Sequence, residues 1–183
     1  MQFRTAAIAL VTAFAWLASS AIASDTPALT EADAAEIYAG VVSRLIGQDD
    51  TFDGNLHPAK VFIQRELQGD CPVPAPRAGC ARRTAGRIAP GLEARLAAAL
   101  AGRHADIRFV DSRKALQFDP RTGEIRGGGV LVTLSELVTA KPGEIETNGE
   151  IYIANEGAGQ MRYEFAHAGA HWSLASARSG WIS

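Results

Sequence analysis

Apolar residues recur with the helical period in the segment that follows residue 30. Their spacing predicts an amphipathic helix over residues 31–46. Thr30 and Asp33 have the arrangement of a capping box, with Asp in place of the usual Glu, and Gly47 is a typical helix end. The first helix is therefore defined at both ends by its own sequence.

A second helix is predicted by leucines that repeat every four residues after Pro90. Pro90 suits a first helical turn, and Gly102 is expected to stop the helix. We expect a short strand at 61–67 before this helix and another at 107–110 after it. The first half of the chain therefore mixes helices with short strands.

The rest of the chain alternates between apolar and polar side chains, which is typical of β-strands. Segments 115–118 and 125–134 flank DPRTGE, a turn signal with proline at its second position, and predict a hairpin. Further on, Met161, Tyr163 and Phe165 are expected to share one buried face. The C-terminal third is therefore predicted to be a meander.

Five more side chains of this meander are assigned to a face by the same pattern. Trp172 and Leu174 are expected on the buried face. Glu144, Glu146 and Glu150 are expected to face solvent. Together with the helices, these strands predict an α+β fold in which an antiparallel, curved β-sheet, ending in a C-terminal meander, packs against two helices.

The first 23 residues have the pattern of a secretory signal peptide. Arg4 precedes a largely apolar run at 6–18, and small residues lead to a predicted cleavage between Ala23 and Ser24. The run is shorter than the span of about 20 residues that crosses a bilayer. We expect a soluble periplasmic or secreted protein, with one domain at 24–183 and no transmembrane segment after cleavage.

Two cysteines, Cys71 and Cys80, flank a proline-rich stretch. In an oxidising compartment, a close pair of this kind predicts an intrachain disulfide. Their spacing is not C-x-x-C, which disfavours a redox-active pair, and no further ligands lie nearby for a metal site.

Charge and motifs narrow the functional classes. The formal net charge is −2, which disfavours nucleic acid as the main partner. The chain contains neither G-x-S-x-G nor H-E-x-x-H. The glycines at 127–129 lack the following helix and Lys-Ser/Thr of a phosphate loop, so we interpret them as a bulge or a strand entry. We expect no cofactor.

An arginine cluster lies in an acid-free segment around the cysteines. A disulfide-pinned loop of this kind could grip an anionic ligand or an acidic partner, whereas a solvated loop balanced by acids elsewhere is the alternative. The candidate anion-binding residues are Arg77, Arg82, Arg83 and Arg87.

His167 and His171 form a weaker candidate site. They flank a three-residue turn, and a hairpin would place them across from each other, at a separation that suits a shared metal ion. The sequence names no third ligand. An exposed hairpin end and acid–base chemistry are the other interpretations.

Aromatic residues provide a last candidate. Trp172 and Trp181, with Tyr152 and Tyr163, either line a ligand pocket or pack in the core. The leading hypothesis is a non-enzymatic module that binds an unknown protein or a small anionic ligand. The alternatives are a small hydrolase or isomerase with a site in a sheet-and-helix pocket, and a structural envelope accessory protein. The oligomeric state stays open.

The disulfide prediction can be tested by replacing Cys71 and Cys80 with serine. The loop-entropy model predicts a free energy of unfolding lower by about 2–3 kcal/mol. Urea denaturation measures this change, and reduction of the unmodified protein serves as the matched control. Alkylation of both thiols in the native, unreduced protein would show that the bond does not form.

Overall fold

The structure, a computed structural model, describes residues 29–48, 56, 58–69, 84–103, 106–155 and 157–182. In these ranges the chain is α+β, with two α-helices and a mixed, mostly antiparallel sheet that does not close on itself. The helices are α1 (Glu31–Gly47) and α2 (Pro90–Leu100). The strands are β1 (Val61–Gln64), β2 (Glu66–Gln68), β3 (Thr84–Arg87), β4 (Ile107–Val110), β5 (Val130–Leu134), β6 (Val138–Lys141), β7 (Glu144–Ala154), β8 (Gly157–Ala168) and β9 (His171–Ile182).

The main sheet has the strand order β4-β1-β5-β7-β8-β9, with β6 also paired to β7. Strands β2 and β3 form a separate antiparallel pair. The expectation of a wholly antiparallel sheet is wrong at one end, because β1 pairs in parallel with both β4 and β5. Helix α2 lies between β1 and β4 in the chain, and such a crossover returns the second strand in the same direction as the first.

The start of α1 confirms the predicted capping box. The backbone N–H of Asp33 donates to Thr30 Oγ1 at 3.2 Å, and the backbone N–H of Thr30 donates to Asp33 Oδ2 at 2.9 Å. The Asp33 carboxylate also accepts a hydrogen bond from the Thr30 hydroxyl at 2.6 Å, and this bond, with the one from the Thr30 backbone N–H, holds the pKa of Asp33 below its ordinary value of 3.8. The cap thus fixes where α1 begins.

One face of the sheet packs against both helices. The buried residues of the core there come mainly from α1, α2 and the four strands β1, β5, β7 and β8, and they confirm the predicted burial of Tyr163 and Phe165. The buried hydroxyl of Tyr38 donates to the backbone carbonyl of Ser135 at 2.9 Å, which satisfies it where α1 crosses the end of β5. Burial raises the pKa of Tyr38.

Helix α1 approaches the sheet closely at Gly149 on β7. A Cβ placed there would come within 2.7 Å of Leu45 Cδ1 and of Val41 Cγ1. These two side chains of α1 therefore fill the space that a side chain at this position would occupy. The sheet can carry α1 this closely because β7 has a glycine at the crossing.

The opposite face of the sheet is covered by the segment between β4 and β5. A smaller core forms there from Phe62, Leu131, Tyr152, Ile125 and neighbouring residues. The expectation that Glu150 faces solvent is wrong, since this residue is 6% exposed. It lies on the central strand β7 between Thr133 and Gln160, beneath the covering segment.

The predicted hairpin between 115–118 and 125–134 is reduced to one bridge between Phe118 and Ile125. Residues 113–115 form a short 3-10 turn instead. The three glycines at 127–129 all have positive φ, a backbone conformation outside the β region, so β5 begins only at residue 130. The interpretation of the glycines as a strand entry is therefore confirmed.

Gly149→Ala tests the close seating of α1. We expect a loss of about 1–3 kcal/mol in the free energy of unfolding, because the new methyl group would overpack the core against Val41 and Leu45. Gly47→Ala is the matched control, since a Cβ there meets nothing within 4 Å. Equal stability of the two variants in thermal denaturation would contradict the close approach.

Candidate functional site

Most of the predicted anion site lies outside the described residues. Cys71, Cys80, Arg77, Arg82 and Arg83 all fall within residues 70–83. The ends of this segment are held together by the pairing of β2 with β3, in which Gln68 lies opposite Thr84.

Arg87, the remaining member of that cluster, lies on β3 and forms an ion pair with Asp111. Asp111 also accepts a hydrogen bond from Arg65 Nη1 at 3.2 Å. Arg65 in turn donates two bonds to the Glu93 carboxylate, at 2.7 and 2.9 Å. We call these four side chains the arginine–acid network. They connect β3 and α2 with the residues that directly follow β1 and β4.

The hydrogen bonds of the arginine–acid network lower the pKa values of its two carboxyl groups. Hydrogen bonding by Arg65 holds the pKa of Glu93 below its ordinary value of 4.5. The pKa of Asp111 is lowered as well, chiefly by its hydrogen bond with Arg87. The network therefore contributes to stability while its carboxyl groups are ionised.

The two histidines do not occupy directly opposed positions. His167 pairs with Trp172, and Ala168 pairs with His171, so the hairpin register differs from the predicted one. The His171 Nδ1 atom lies 3.4 Å from Glu36 Oε1, and the His167 ring centroid lies 5.0 Å from that of Trp172. Within the described ranges, no group of three His, Cys, Asp or Glu residues could hold a metal ion.

A concave feature lies between α1, α2 and the β8–β9 hairpin. We call it the helix groove, and its volume is about 610 Å³. Helices α1 and α2 contribute small side chains to the helix groove, and the sheet contributes a wall of aromatic and aliphatic side chains. Its lining residues are Ala32, Ala35, Glu36, Ala39, Gly40, Arg44, Arg95, Ala98, Ala99, Arg103, Phe165, Trp172 and Leu174.

Small residues give the helix groove its depth. Ala35, Ala39 and Gly40 recur along one side of α1 at helical spacing. At Gly40 the helix lies so close to the sheet wall that an added Cβ would come within 3.3 Å of Phe165 Cε1. Larger side chains at these positions would fill the space that the groove now offers.

The two helices run side by side in the same direction. Glu31, at the start of α1, approaches the backbone of Gly91 in the first turn of α2. Just beyond the end of α2, Arg103 Nη1 lies 3.4 Å from Ser43 Oγ, near the end of α1. The groove therefore has an N-terminal end and a C-terminal end, shared by both helices.

Charges differ between these two ends. Arg44 and Arg103 line the C-terminal end, and Glu36 lines the N-terminal half. Arg95 also lines the groove, and its Nε atom lies 4.0 Å from Glu31 Oε2. The described lining thus contains three arginines and one glutamate, and two of the arginines lie at the C-terminal end.

Trp172 closes the wall near the N-terminal end. Its backbone N–H donates to Glu36 Oε2 at 3.4 Å. Its indole nitrogen is buried, without a hydrogen bond of normal geometry to any described residue. The indole N–H and His167 both lie near Asp33. The pKa of Asp33 is lowered chiefly by Thr30, and these two groups lower it further. The predicted pocket role of Trp172 thus matches its position, while Trp181 and Tyr152 pack on the other face of the sheet.

A second cavity of about 470 Å³ lies at the glycine-rich entry to β5. Its charged lining residues are Asp119, Glu124 and Arg126. Asp119 is already engaged, because it accepts hydrogen bonds from the backbone N–H groups of Arg121 and Thr122. The described lining of this cavity contains two acids, one arginine and no aromatic side chain.

The sequence interpretation missed Arg44, Arg95, Arg103 and Glu36. Arg44, Arg95 and Glu36 lie on helices and Arg103 follows the end of α2, and nothing in their spacing separates them from ordinary surface charges. The available signal was the recurrence of alanine and glycine along both helices. Alanine is equally well explained by its high helix propensity, so this signal does not by itself indicate a groove.

No family model, no curated protein and no solved structure matches this chain. Among the described helices, none is long and apolar enough to cross a membrane. The geometry of the helix groove is therefore the basis for a functional proposal.

Glu93→Gln tests the arginine–acid network. Because the pKa of Glu93 is lowered by folding, its contribution is complete above about pH 4.5 and is lost as the pH falls further. The variant should lose about 1–3 kcal/mol of unfolding free energy at pH 7 and show a weaker decline in acid. Urea denaturation at several pH values measures both effects. Glu66→Gln, a nearby carboxylate outside the network, is the control, and identical profiles for the two variants would contradict the assignment.

Proposed function

We propose that this protein is an exported binding module whose helix groove takes a small ligand with an apolar body and an anionic group. The observation that carries the proposal is the coincidence, in one cavity, of apolar walls with three arginines and one glutamate. Ligand sites are typically concave, largely apolar and equipped with a few polar groups. Export to the periplasm or beyond is part of the proposal.

The cationic side chains select the charge of the ligand. A guanidinium offers several donors in a planar fork, which matches carboxylate, sulfonate and phosphate groups. An anion beside Arg44 and Arg103 would face two such groups at the open C-terminal end. Electrostatic complementarity therefore favours anions over cations there.

The composition of the lining supports binding over hydrolysis. Among the described residues that line the groove, none carries a hydroxyl, thiol or imidazole group, and Glu36 is the one carboxylate. A nucleophile with an adjacent base, or two converging titratable groups, is the usual signature of an active site. The lining matches the leading hypothesis from the sequence better than the hydrolase or isomerase alternative.

Curvature of the sheet is also part of the proposal. Phe165, Trp172 and Leu174 line the same cavity as Ala98 and Ala99 of α2, although α1 lies between these elements. A sheet that curves along β8 and β9 beside α1 accounts for this arrangement. The C-terminal meander would then act as one wall of the site.

Ala99→Trp tests the proposed function. Ala99 is exposed and lines the groove, so an indole at this position would occupy the cavity without disturbing the core. We expect the affinity for anilinonaphthalene sulfonate, an aromatic anion, to fall by about tenfold or more, equivalent to about 1.4 kcal/mol. Fluorescence titration measures the affinity.

The matched control is Ala94→Trp, which adds the same side chain to an exposed position of α2 outside the groove. This variant should bind the probe as the unmodified protein does. Equal affinities for the Ala99→Trp and Ala94→Trp variants would place the probe elsewhere and contradict the proposal.

A further inference from the structure

We infer that the ligand is a single-chain anionic amphiphile, such as a free alkanoate, held in one orientation. Its head group lies at Arg44 and Arg103, and its chain runs along α1 towards Trp172. This inference rests on the proposed function and adds the class of ligand and its direction. It follows from the order of charges and apolar groups along the groove.

The groove has the length and straightness that a chain requires. Its lining follows α1 from Ala32 to Arg44, and twelve helical rises correspond to about 18 Å. A compact anion would use one end and leave the remainder empty. An extended chain would contact the whole lining.

The middle of the groove accepts methylene groups and little else. Between the charged ends, both helices contribute alanine and glycine, and the sheet contributes Phe165 and Leu174. Arg95 is the charged lining residue within α2 itself, and it lies towards the N-terminal end of the groove, beside Glu31. Each methylene group that is transferred from water into the middle stretch adds affinity through the hydrophobic effect.

The N-terminal end discriminates against a second anion. Glu36 presents its carboxylate there, held by the backbone N–H of Trp172 and lying beside His171. Arg95 also lines this half of the groove, and its Nε atom lies 4.0 Å from Glu31 Oε2, so the two glutamates outnumber the arginine by one. A ligand with a carboxylate at each end would bring one of them to this group, and like charges at close range repel. A methyl terminus avoids that contact and meets the Trp172 ring instead.

The source of the anion is a free monomer rather than a bilayer surface. The groove lies between structural elements and has a volume of about 610 Å³, which is typical of sites for single small molecules. A docking face for a membrane would instead need exposed apolar groups around the basic residues. Among the described residues, the exposed large apolar side chains are Leu29 and Ile182, and neither lines the groove.

Titration calorimetry with octanoate, decanoate and dodecanoate tests the ligand class. We expect the affinity to rise by up to about fourfold for each added methylene group. Dodecanedioate should bind at least about tenfold more weakly than dodecanoate. Affinities that do not depend on chain length, or equal binding of the two twelve-carbon ligands, would overturn the inference.

Variants of the head-group site separate charge from chain. Arg44→Gln and Arg103→Gln should each lower the affinity for decanoate by about tenfold while leaving the affinity for the neutral decanol unchanged. Arg121→Gln, an exposed arginine on the turn before β5, is the control and should alter neither. Equal losses for decanoate and decanol would show that the arginines act only on structure, which would overturn their assigned role.

Tryptophan fluorescence tests the orientation. In a variant carrying Trp16→Phe and Trp181→Phe, Trp172 is the sole tryptophan. Bromine at the ω-carbon of dodecanoate should quench its emission more strongly than bromine at the α-carbon. The reverse order would overturn the orientation.

Two outcomes distinguish this inference from the proposed function. If anilinonaphthalene sulfonate binds in an Ala99-dependent manner while alkanoates show no chain-length dependence, the inference fails and the binding module stands. If neither probe binds, both fail. Co-sedimentation with phosphatidylglycerol vesicles, without binding of monomeric dodecanoate, would also overturn the inference.

Discussion

The close contact between α1 and the central strand β7 is the constraint on which the rest of the structure depends. Gly149 leaves room for Val41 and Leu45, so the helix lies deep against the sheet. Helix α2 and the β8–β9 hairpin then flank α1 on its two sides. The small residues of α1 that remain between these flanks become the floor of the helix groove.

The parallel direction of the two helices gives this groove its polarity. The C-terminal ends of α1 and α2 lie together, and each helix end carries a partial negative charge that a cation stabilises by about 0.3–1 kcal/mol. Arg44, in the last turn of α1, fits that structural role. Its position in the lining gives it a second role, because the same guanidinium faces a cavity whose middle is apolar. If Arg44 acts in binding, its loss weakens the binding of anions alone. If it acts only on structure, its loss weakens the binding of charged and neutral ligands equally.

The sequence predicted those features that depend on local interactions. The capping box of Thr30 and Asp33, the start of α2 at Pro90 and the burial of Tyr163 each follow from residues close in the chain. The parallel pairing of β1 was missed, because a four-residue strand carries no information about its partner or direction. Glu150 was assigned to solvent because its cover, the segment between β4 and β5, is remote in sequence. The groove residues were missed for the same reason, since it takes two helices and a hairpin to bring them together.

Hydrogen exchange, followed by mass spectrometry with and without dodecanoate, is the most direct test of the account. A ligand in the helix groove should slow exchange in three separate segments at once, namely the second half of α1, the end of α2 and the turn-proximal parts of β8 and β9. The glycine-rich entry to β5 should exchange at an unchanged rate. Slowed exchange confined to that entry, or no change in any segment, would contradict the groove as the binding site.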